Sequence, residues 1–184
     1  MTGWAHAVTV SGTIAGQGGR GADDGRFGRR ERVAQRGLWY EELRSDVVYA
    51  HAPGRTITEA DNVLFTTLTM NAQALHLDAA WSAGSDFGER LVNSMLTLST
   101  VVGLSVAQLT QGTLVANLGL TDVAFPHPVR IGDTLSAETA VTAKRPSRSR
   151  AGTGIVTLAP RGLNQDGESV VAANRPTMGR LRPA

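Results

Sequence analysis

The sequence contains no cysteine, and this absence removes several kinds of chemistry at once. Disulfide bonds, thiolate catalysis and cysteine-based zinc sites are all excluded, and a cytoplasmic location is the simple expectation. The sequence also lacks residues spaced in the pattern of a metal-binding site. The four histidines are scattered along the chain without an accompanying carboxylate pair: His6, His51, His76 and His127. We therefore expect no metal site.

Long apolar segments are also lacking. The longest candidate, residues 91–106, is interrupted by six polar side chains: Asn93, Ser94, Thr97, Ser99, Thr100 and Ser105. A bilayer crossing needs roughly 20 apolar residues in succession. The first ten residues carry neither a basic segment nor a sustained apolar run of the kind found in export signals. These patterns predict no membrane partner.

Excess positive charge is confined to the start of the chain. Residues 1–37 hold six arginines against three acidic side chains, a net charge of +3. Residues 38–184 hold 12 basic and 13 acidic side chains, a net charge of −1, so no nucleic-acid partner is expected for them. Residues 1–37 also carry nine of the 21 glycines, which predicts a disordered leader. Residues 38–184 suit a single domain.

Strand and helix signals alternate in the first half of the expected domain. Residues 47–51 have the β-branched and aromatic character of a strand, and Pro53-Gly54 predicts a turn after it. Thr58, followed by the acidic Asp61, is typical of a helix N-terminus. Asp78 predicts the start of a further short helical turn.

The second half of the domain combines one long helix with strands. Residues 91–110 form the longest helix candidate, and its apolar side chains are so widely distributed that we expect burial on nearly all faces. Four strand-like segments follow it: residues 115–125, 134–145, 154–164 and 169–178. Asp166-Gly167 predicts a hairpin turn. The plan is an α+β domain in which a curved antiparallel sheet wraps around a long, buried central helix.

The polar turn Asn71-Ala72-Gln73-Ala74-Leu75-His76 carries a resemblance to a known family. It is similar to the turn Asp-X-Asn-Pro-X-His of the MaoC-like, (R)-specific enoyl-CoA hydratases, which have the hot-dog fold. The family's histidine then corresponds to His76 and its aspartate to Asn71. Three further segments resemble the corresponding segments of family members: residues 58–65, 91–96 and 129–135. The resemblance covers about residues 38–178 and is nearest to the branch with mesaconyl-CoA hydratase and β-methylmalyl-CoA dehydratase.

The resemblance implies a hydro-lyase that adds water to, or removes it from, a 2,3-enoyl-CoA thioester. That reaction requires a base for the water that attacks C3, a proton for C2, and donors for the negative charge that develops on the thioester oxygen. His76 and the residue at position 71 would be the catalytic pair. The resemblance also implies a homodimer with pockets at the subunit interface, and coenzyme A as part of the substrate and not a separate cofactor.

Asn71 departs from the family pattern. An amide can orient a water molecule, but it cannot accept the proton that a carboxylate would accept. His76 would then act alone, or with Asp61 or Asp78, although either aspartate is as readily explained as a helix cap. The main alternative is a non-catalytic acyl-CoA-binding or regulatory hot-dog protein. A thioesterase is a weaker alternative, and a nucleic-acid-binding module is the weakest.

Two further groups of residues are candidates for ligand binding. Asn93 and Ser94 correspond to the family position whose backbone amide contacts the thioester oxygen, and a simple helix cap would use the same groups. Arg145, Arg148 and Arg150 form a basic loop between two predicted strands, which suits the phosphates of coenzyme A or is simply a solvated turn. Gly16 to Gly21 neither follows a predicted strand nor opens a helix, so a phosphate-binding glycine loop is not predicted.

Overall fold

The computed structural model describes residue 31 and residues 33–183. Most of the predicted disordered leader, residues 1–30 and residue 32, lies outside the described residues. The end of that leader is packed, because the Gly37 amide donates to the Gln111 carbonyl at 2.7 Å. Arg36 pairs with Glu42 at 2.6 Å, and its hydrogen bond, together with those of the Trp39 amide and Arg182, lowers the pKa of that carboxyl to about 2. The packed chain therefore includes residues placed before the expected boundary at residue 38.

The first strand, β1, is Val48–Thr56 and is longer than the predicted segment. The turn predicted at Pro53-Gly54 is wrong, since both residues lie inside β1. The pairing of β1 with the strand Thr134–Pro146 shifts register between His51 and Arg55. Such a bulge accommodates a proline within a strand, because an edge strand need not donate every ladder hydrogen bond.

Three short helices follow β1: α1 at Glu59–Leu68, α2 at Ala74–Leu77 and α3 at Ala79–Ala83. The predicted start of α1 is confirmed, because the Thr58 hydroxyl accepts from the Asp61 amide while the Asp61 carboxylate accepts from the Thr58 amide. Asp78 caps α3 by accepting from the Trp81 amide at 2.9 Å. Both aspartates thus serve as helix caps.

The central helix, α4, is Ser94–Leu109 and begins three residues later than predicted. Leu98, Val101 and Leu109 are buried, whereas Met95 on another face is 47% exposed. The expectation of burial on nearly all faces is therefore wrong for the single chain, since one sheet covers only one side of a helix. None of the described helices has the length and apolarity needed to cross a membrane.

The remaining strands are β2 at Leu114–Asn117, β3 at Thr121–Ala124, β4 at Thr134–Pro146, β5 at Thr153–Leu163 and β6 at Ser169–Arg180. The antiparallel sheet has the order β1-β4-β5-β6-β2, with β3 also paired to β6. The segment predicted as one strand at residues 115–125 is thus divided into β2 and β3. The predicted turn is confirmed, because Gly167, at φ +79°, closes the β5–β6 hairpin.

The main core lies between α4 and the sheet. Leu98 and Val101 of α4 pack with side chains from β4 and β6, among them Leu135, Val170 and Val171. Gly162 of β5 allows the close approach, because an added Cβ would clash with a methyl group of Val101. The predicted α+β arrangement of a curved sheet around a central helix is confirmed.

Candidate active site

The extended segment just before α4, Leu91 and Val92, forms backbone hydrogen bonds to the other parts of the site. The Leu91 amide donates to the Leu75 carbonyl at 3.1 Å, and the Val92 amide donates to the Val129 carbonyl at 2.9 Å. These bonds join α2, the approach to α4 and the loop before β4. Leu91 and Val92 are also buried, so this backbone junction is shielded from water.

The side chain of Asn62, in α1, forms hydrogen bonds with the same junction. Its amide nitrogen donates to the carbonyls of His76 and Leu91, at 3.2 and 3.3 Å. Its Oδ1 accepts from the Asn93 amide at 2.8 Å. The side chain is fully buried, so one amide side chain bonds to three backbone groups from two segments of the chain.

His76 lies in α2 with its ring held in a defined orientation. Nδ1 is 2.9 Å from the Leu91 carbonyl oxygen. A carbonyl can only accept a hydrogen bond, so Nδ1 carries the hydrogen and the neutral ring presents Nε2 as an acceptor. His76 is partly exposed. The arrangement therefore supplies an oriented base that can reach a ligand.

His76 lines a cavity of about 400 Å³. The wall is mainly apolar, with contributions from Leu75, Phe87, Leu91, Val92, Phe125, Pro126, Pro128, Val129 and Val170. Its polar members are His76, Ser94, Thr97 and His127. Among the residues that the structure describes, no Asp, Glu, Lys or Arg side chain lines this cavity, so a reacting thioester would be surrounded by apolar groups and a few directed polar atoms.

Asn71 lies on the same turn as His76, but the residues that line the cavity do not include it. Its Oδ1 accepts from the Gln73 amide at 3.0 Å, which is a local turn contact. The structure thus brings His76 and Ser94 to one cavity without bringing the Asn71 side chain to its wall. A catalytic role for Asn71 stays a prediction.

The two aspartates considered as helpers of His76 are engaged elsewhere. Hydrogen bonds from the Thr58 hydroxyl and amide, and then the charge of Arg55, lower the pKa of Asp61. Arg55 lies 2.6 Å from the Asp61 carboxylate. Asp78 accepts from the Trp81 amide. Helix capping accounts for both carboxylates, and neither lines the cavity of His76.

Asn93 and Ser94 have different roles at the start of α4. The buried Asn93 caps the helix, since its Oδ1 accepts from the Met95 amide at 3.0 Å. Its own amide is bonded to Asn62. Ser94 lines the cavity, and its backbone amide has no partner among the described residues. Of the predicted pair, Ser94 therefore offers the N–H group that a ligand oxygen could use.

The predicted basic loop lies away from this cavity, and its first arginine, Arg145, belongs to β4 and not to the loop. Arg145 and Arg148 line a separate cleft of about 580 Å³, together with Leu118 and Met178, whereas Arg150 is not among its lining residues. Strand β6 passes from Val170 at the His76 cavity to Met178 at this cleft, eight residues or about 26 Å along the strand. A role for the three arginines in phosphate binding stays a prediction.

Sequence reasoning missed Asn62 and did not connect His127 to His76. The signal for Asn62 is its helical spacing with Thr66, since both residues are fully buried on one face of α1. His127 lies between Pro126 and Pro128 in the loop that the Val92–Val129 bond anchors. Among the described residues, no group of three His, Asp or Glu side chains could hold a metal ion.

A curved antiparallel sheet around one central helix is the arrangement of hot-dog domains. The sequence profile described as "MaoC like domain" matches residues 44–159. A protein of Mycobacterium tuberculosis with a double hot-dog fold aligns with a TM-score of 0.70 and 25% identity, over 80% of this chain and 45% of that one. The chain belongs to the MaoC-like family, as the resemblance of its polar turn predicted.

Two curated relatives come from the branches that the sequence resembles. The mesaconyl-CoA hydratase of Cereibacter sphaeroides is 31% identical over 146 residues, which are 79% of this chain and 42% of the relative. The (R)-specific enoyl-CoA hydratase of Aeromonas caviae is 34% identical over 113 residues, which are 61% of this chain and 78% of the relative. The chain spans about two fifths of the length of the first curated relatives that it matches.

Proposed function

We propose that this protein is a hydro-lyase that adds water to a 2,3-enoyl-CoA thioester or removes water from the corresponding 3-hydroxyacyl-CoA. The observation that carries the proposal is the bond between His76 Nδ1 and the Leu91 carbonyl at 2.9 Å. It leaves Nε2 as the basic nitrogen at the edge of an apolar cavity. A water molecule bound there would lose a proton to Nε2 as its oxygen attacks C3 of the enoyl group.

The Ser94 amide is the group we assign to the thioester oxygen. It lies at the first residue of a 16-residue helix, where backbone N–H groups have no intrahelical acceptor and the helix dipole favours negative charge. Negative charge grows on the thioester oxygen while C3 is attacked, so a fixed N–H donor in an apolar cavity lowers the barrier. The Asn93 side chain supports this role indirectly by capping the same helix.

The competing function is a non-catalytic acyl-CoA-binding protein. Asn71 favours it, since position 71 lacks a carboxylate and the amide is occupied with the Gln73 backbone. Under this alternative the cavity would still bind an acyl thioester, and His76 would serve only to hold the turn against Leu91. Binding without turnover therefore separates the two functions.

The phosphates of coenzyme A would bind at a second region of the protein, the cleft that Arg145 and Arg148 line. The guanidinium groups of Arg145 and Arg148 suit phosphate oxygens, and both residues line one cleft. Replacing both with alanine should raise the KM for a CoA thioester, yet leave the KM for the matching pantetheine thioester unchanged. Arg161→Ala is the control, because Arg161 is exposed and paired with Glu138 outside that cleft. Equal KM changes for both thioesters would contradict phosphate binding by this loop.

A homodimer is part of the same proposal. The cavity of His76 includes Phe125, which follows β3 at the edge of the sheet and is itself 39% exposed. A second copy at this edge would cover the exposed apolar surface and bring the cavity close to the subunit interface.

The deciding experiment follows the loss of enoyl-thioester absorbance when the purified protein is mixed with crotonyl-CoA or mesaconyl-CoA, with release of free CoA measured in parallel. We expect loss of the enoyl group without release of CoA. Binding of both substrates with neither consumed would contradict the hydro-lyase, and release of CoA would favour a thioesterase.

His76→Asn is the matched variant for this assay. The asparagine amide nitrogen falls near the position of Nδ1 and can still donate to the Leu91 carbonyl, but the basic Nε2 is lost. We expect kcat to fall by about 10²–10⁴-fold while the thermal unfolding midpoint stays close to that of the wild type. Retained turnover would assign the base to another residue.

A further inference from the structure

His127 shares the cavity of His76 although the two residues are far apart in the sequence. It lies in the segment between β3 and β4, where Pro126 and Pro128 flank it on both sides. Because each proline fixes its own φ, the backbone around His127 has few alternative conformations. All five residues from Phe125 to Val129 line the cavity. The segment is thus a wall of the site and not a distant loop.

The two histidines are fixed to the same short backbone segment. The Leu91 carbonyl accepts from His76 Nδ1, and the neighbouring Val92 amide donates to the Val129 carbonyl, two residues after His127. Leu91 also forms an isolated β-bridge with Arg130. One backbone junction therefore links the two segments that carry these histidines, and a pair of cooperating groups needs such fixed supports.

The ring of His127 is oriented in the same way as that of His76. Its Nδ1 lies 2.9 Å from the Ser169 carbonyl oxygen, so Nδ1 carries a hydrogen and Nε2 is the ring nitrogen left for proton transfer. The side chain is exposed, and solvent can exchange its proton between turnovers. A histidine held only for packing would need neither an exposed ring nor a place in the cavity wall.

We propose that His127 is the second acid–base group of this site and supplies the proton to C2. This inference rests on the proposed hydro-lyase function. During hydration, the water oxygen bonds to C3, and its proton passes to neutral His76 Nε2. The electrons of the C2–C3 double bond move towards the thioester, and C2 takes the proton from the protonated Nε2 of His127.

The proton balance of this step is complete without another reactant. One water molecule is added, His76 ends protonated and His127 ends neutral, and proton exchange with solvent restores both rings. Dehydration uses the same groups in reverse. A second imidazole also supplies what Asn71 cannot, because an amide neither accepts nor donates a proton in this way. Asp61 and Asp78 remain in their helix caps.

Two variants of His127 test this assignment. In His127→Asn, the amide nitrogen can still donate to the Ser169 carbonyl, so a merely structural role would be preserved. If His127 protonates C2, kcat with crotonyl-CoA or mesaconyl-CoA falls by about 10²–10⁴-fold in both His127→Asn and His127→Ala, with KM changed much less. Imidazole added to the buffer should restore part of the turnover of His127→Ala, since the removed ring leaves an accessible space, and should leave the wild-type rate unchanged.

The outcomes also separate this inference from the function on which it rests. A wild-type protein that consumes neither substrate overturns both. Wild-type turnover together with an unchanged kcat in His127→Asn overturns the role of His127 alone and leaves the hydro-lyase standing. A loss of kcat in His127→Ala with no gain from imidazole, in a variant whose circular dichroism matches the wild type, also overturns it.

Discussion

His76 illustrates how one backbone contact can decide the chemistry of a side chain. Held by the Leu91 carbonyl through Nδ1, the ring has only Nε2 to offer to the cavity. The same carbonyl accepts from Asn62, so the orientation of the histidine depends on a fully buried amide of the preceding helix, α1. Asn62, which does not line the cavity, therefore positions the proposed base.

Asn62→Leu should weaken both the fold and the site. Leucine preserves the side-chain volume but leaves the buried Asn93 amide without its acceptor, at a cost of about 1–3 kcal/mol in the free energy of unfolding. The loss of the bonds to the His76 and Leu91 carbonyls should also lower kcat. Denaturant titration and the hydration assay measure the two effects.

Thr66→Val is the control for Asn62→Leu, one helical turn along the same buried face of α1. The Thr66 hydroxyl is buried and has no hydrogen-bond partner among the described residues. Replacing it with a methyl group should leave the free energy of unfolding unchanged or raise it, with kcat unchanged. A large loss of stability in Thr66→Val, or none in Asn62→Leu, would contradict this account of α1.

Asn71→Asp should change kcat by less than about threefold, or less than about 1 kcal/mol in the barrier. The reason is geometric, because the Asn71 side chain is not part of the cavity wall and an aspartate can still accept from the Gln73 amide. Steady-state hydration of crotonyl-CoA by the two proteins measures the effect. A gain above tenfold would instead mean that the native site lacks an acid at position 71.

The sequence predicted His76 and the start of α1 because both belong to a recognisable local pattern. It did not predict Asn62, since a polar residue in a short helix with apolar neighbours is normally placed on the exposed face. The structure reverses that arrangement, burying Asn62 and Thr66 while Leu64 and Leu68 are exposed. Only the tertiary need to satisfy three backbone groups explains the reversal.

At the scale of elements, a buried histidine joins two strands to the central helix. His51 of β1 bonds through Nδ1 to Gln108 of α4, at 2.6 Å, and through Nε2 to Thr139 of β4, at 2.9 Å. Both of these neighbours are neutral, and burial lowers the pKa of His51. The packing of β1 against α4 therefore favours the uncharged ring.

This burial predicts a loss of stability on mild acidification. As the pH falls below the ordinary histidine pKa, near 6.5, the unfolded chain binds a proton at His51 that the folded chain binds only at lower pH. The stabilisation is thus present above that pH and is lost as the pH falls through the folded-state pKa. Urea titrations between pH 7.5 and pH 5 should show a smaller pH dependence in His51→Gln than in the wild type. Parallel curves for the two proteins would show that His51 does not contribute.

The errors in the predicted elements share one physical cause. Pro53-Gly54 is a local turn signal, yet the pairing of β1 with β4 extends across it through a bulge. Residues 115–125 have a continuous strand composition, yet β2 and β3 pair separately with different parts of β6. In each case long-range pairing overrides local preference, and a pattern of neighbouring residues does not contain that information.

At the scale of the whole molecule, the two edges of the sheet differ in character. The β2–β3 edge carries four exposed apolar side chains, Leu118, Leu120, Val123 and Phe125. The β1 edge carries Pro53 and the bulge before Arg55, features that discourage pairing with another strand. An open apolar edge is a template for association, so the β2–β3 edge is the one expected to meet a second copy.

Val123→Asp should therefore convert the proposed dimer into a monomer. The new carboxylate would have to be desolvated on β3 of the β2–β3 edge, which opposes association. Val48→Asp is the matched control, because Val48 is 61% exposed on the opposite edge strand and its substitution should leave the dimer intact. Sedimentation equilibrium at micromolar concentration distinguishes the two states.

If Val48→Asp alone dissociated the dimer, the interface would lie at β1, and a wild-type monomer would contradict the dimer itself. Because Phe125 belongs to both this edge and the cavity wall, dissociation by Val123→Asp should also lower hydration activity.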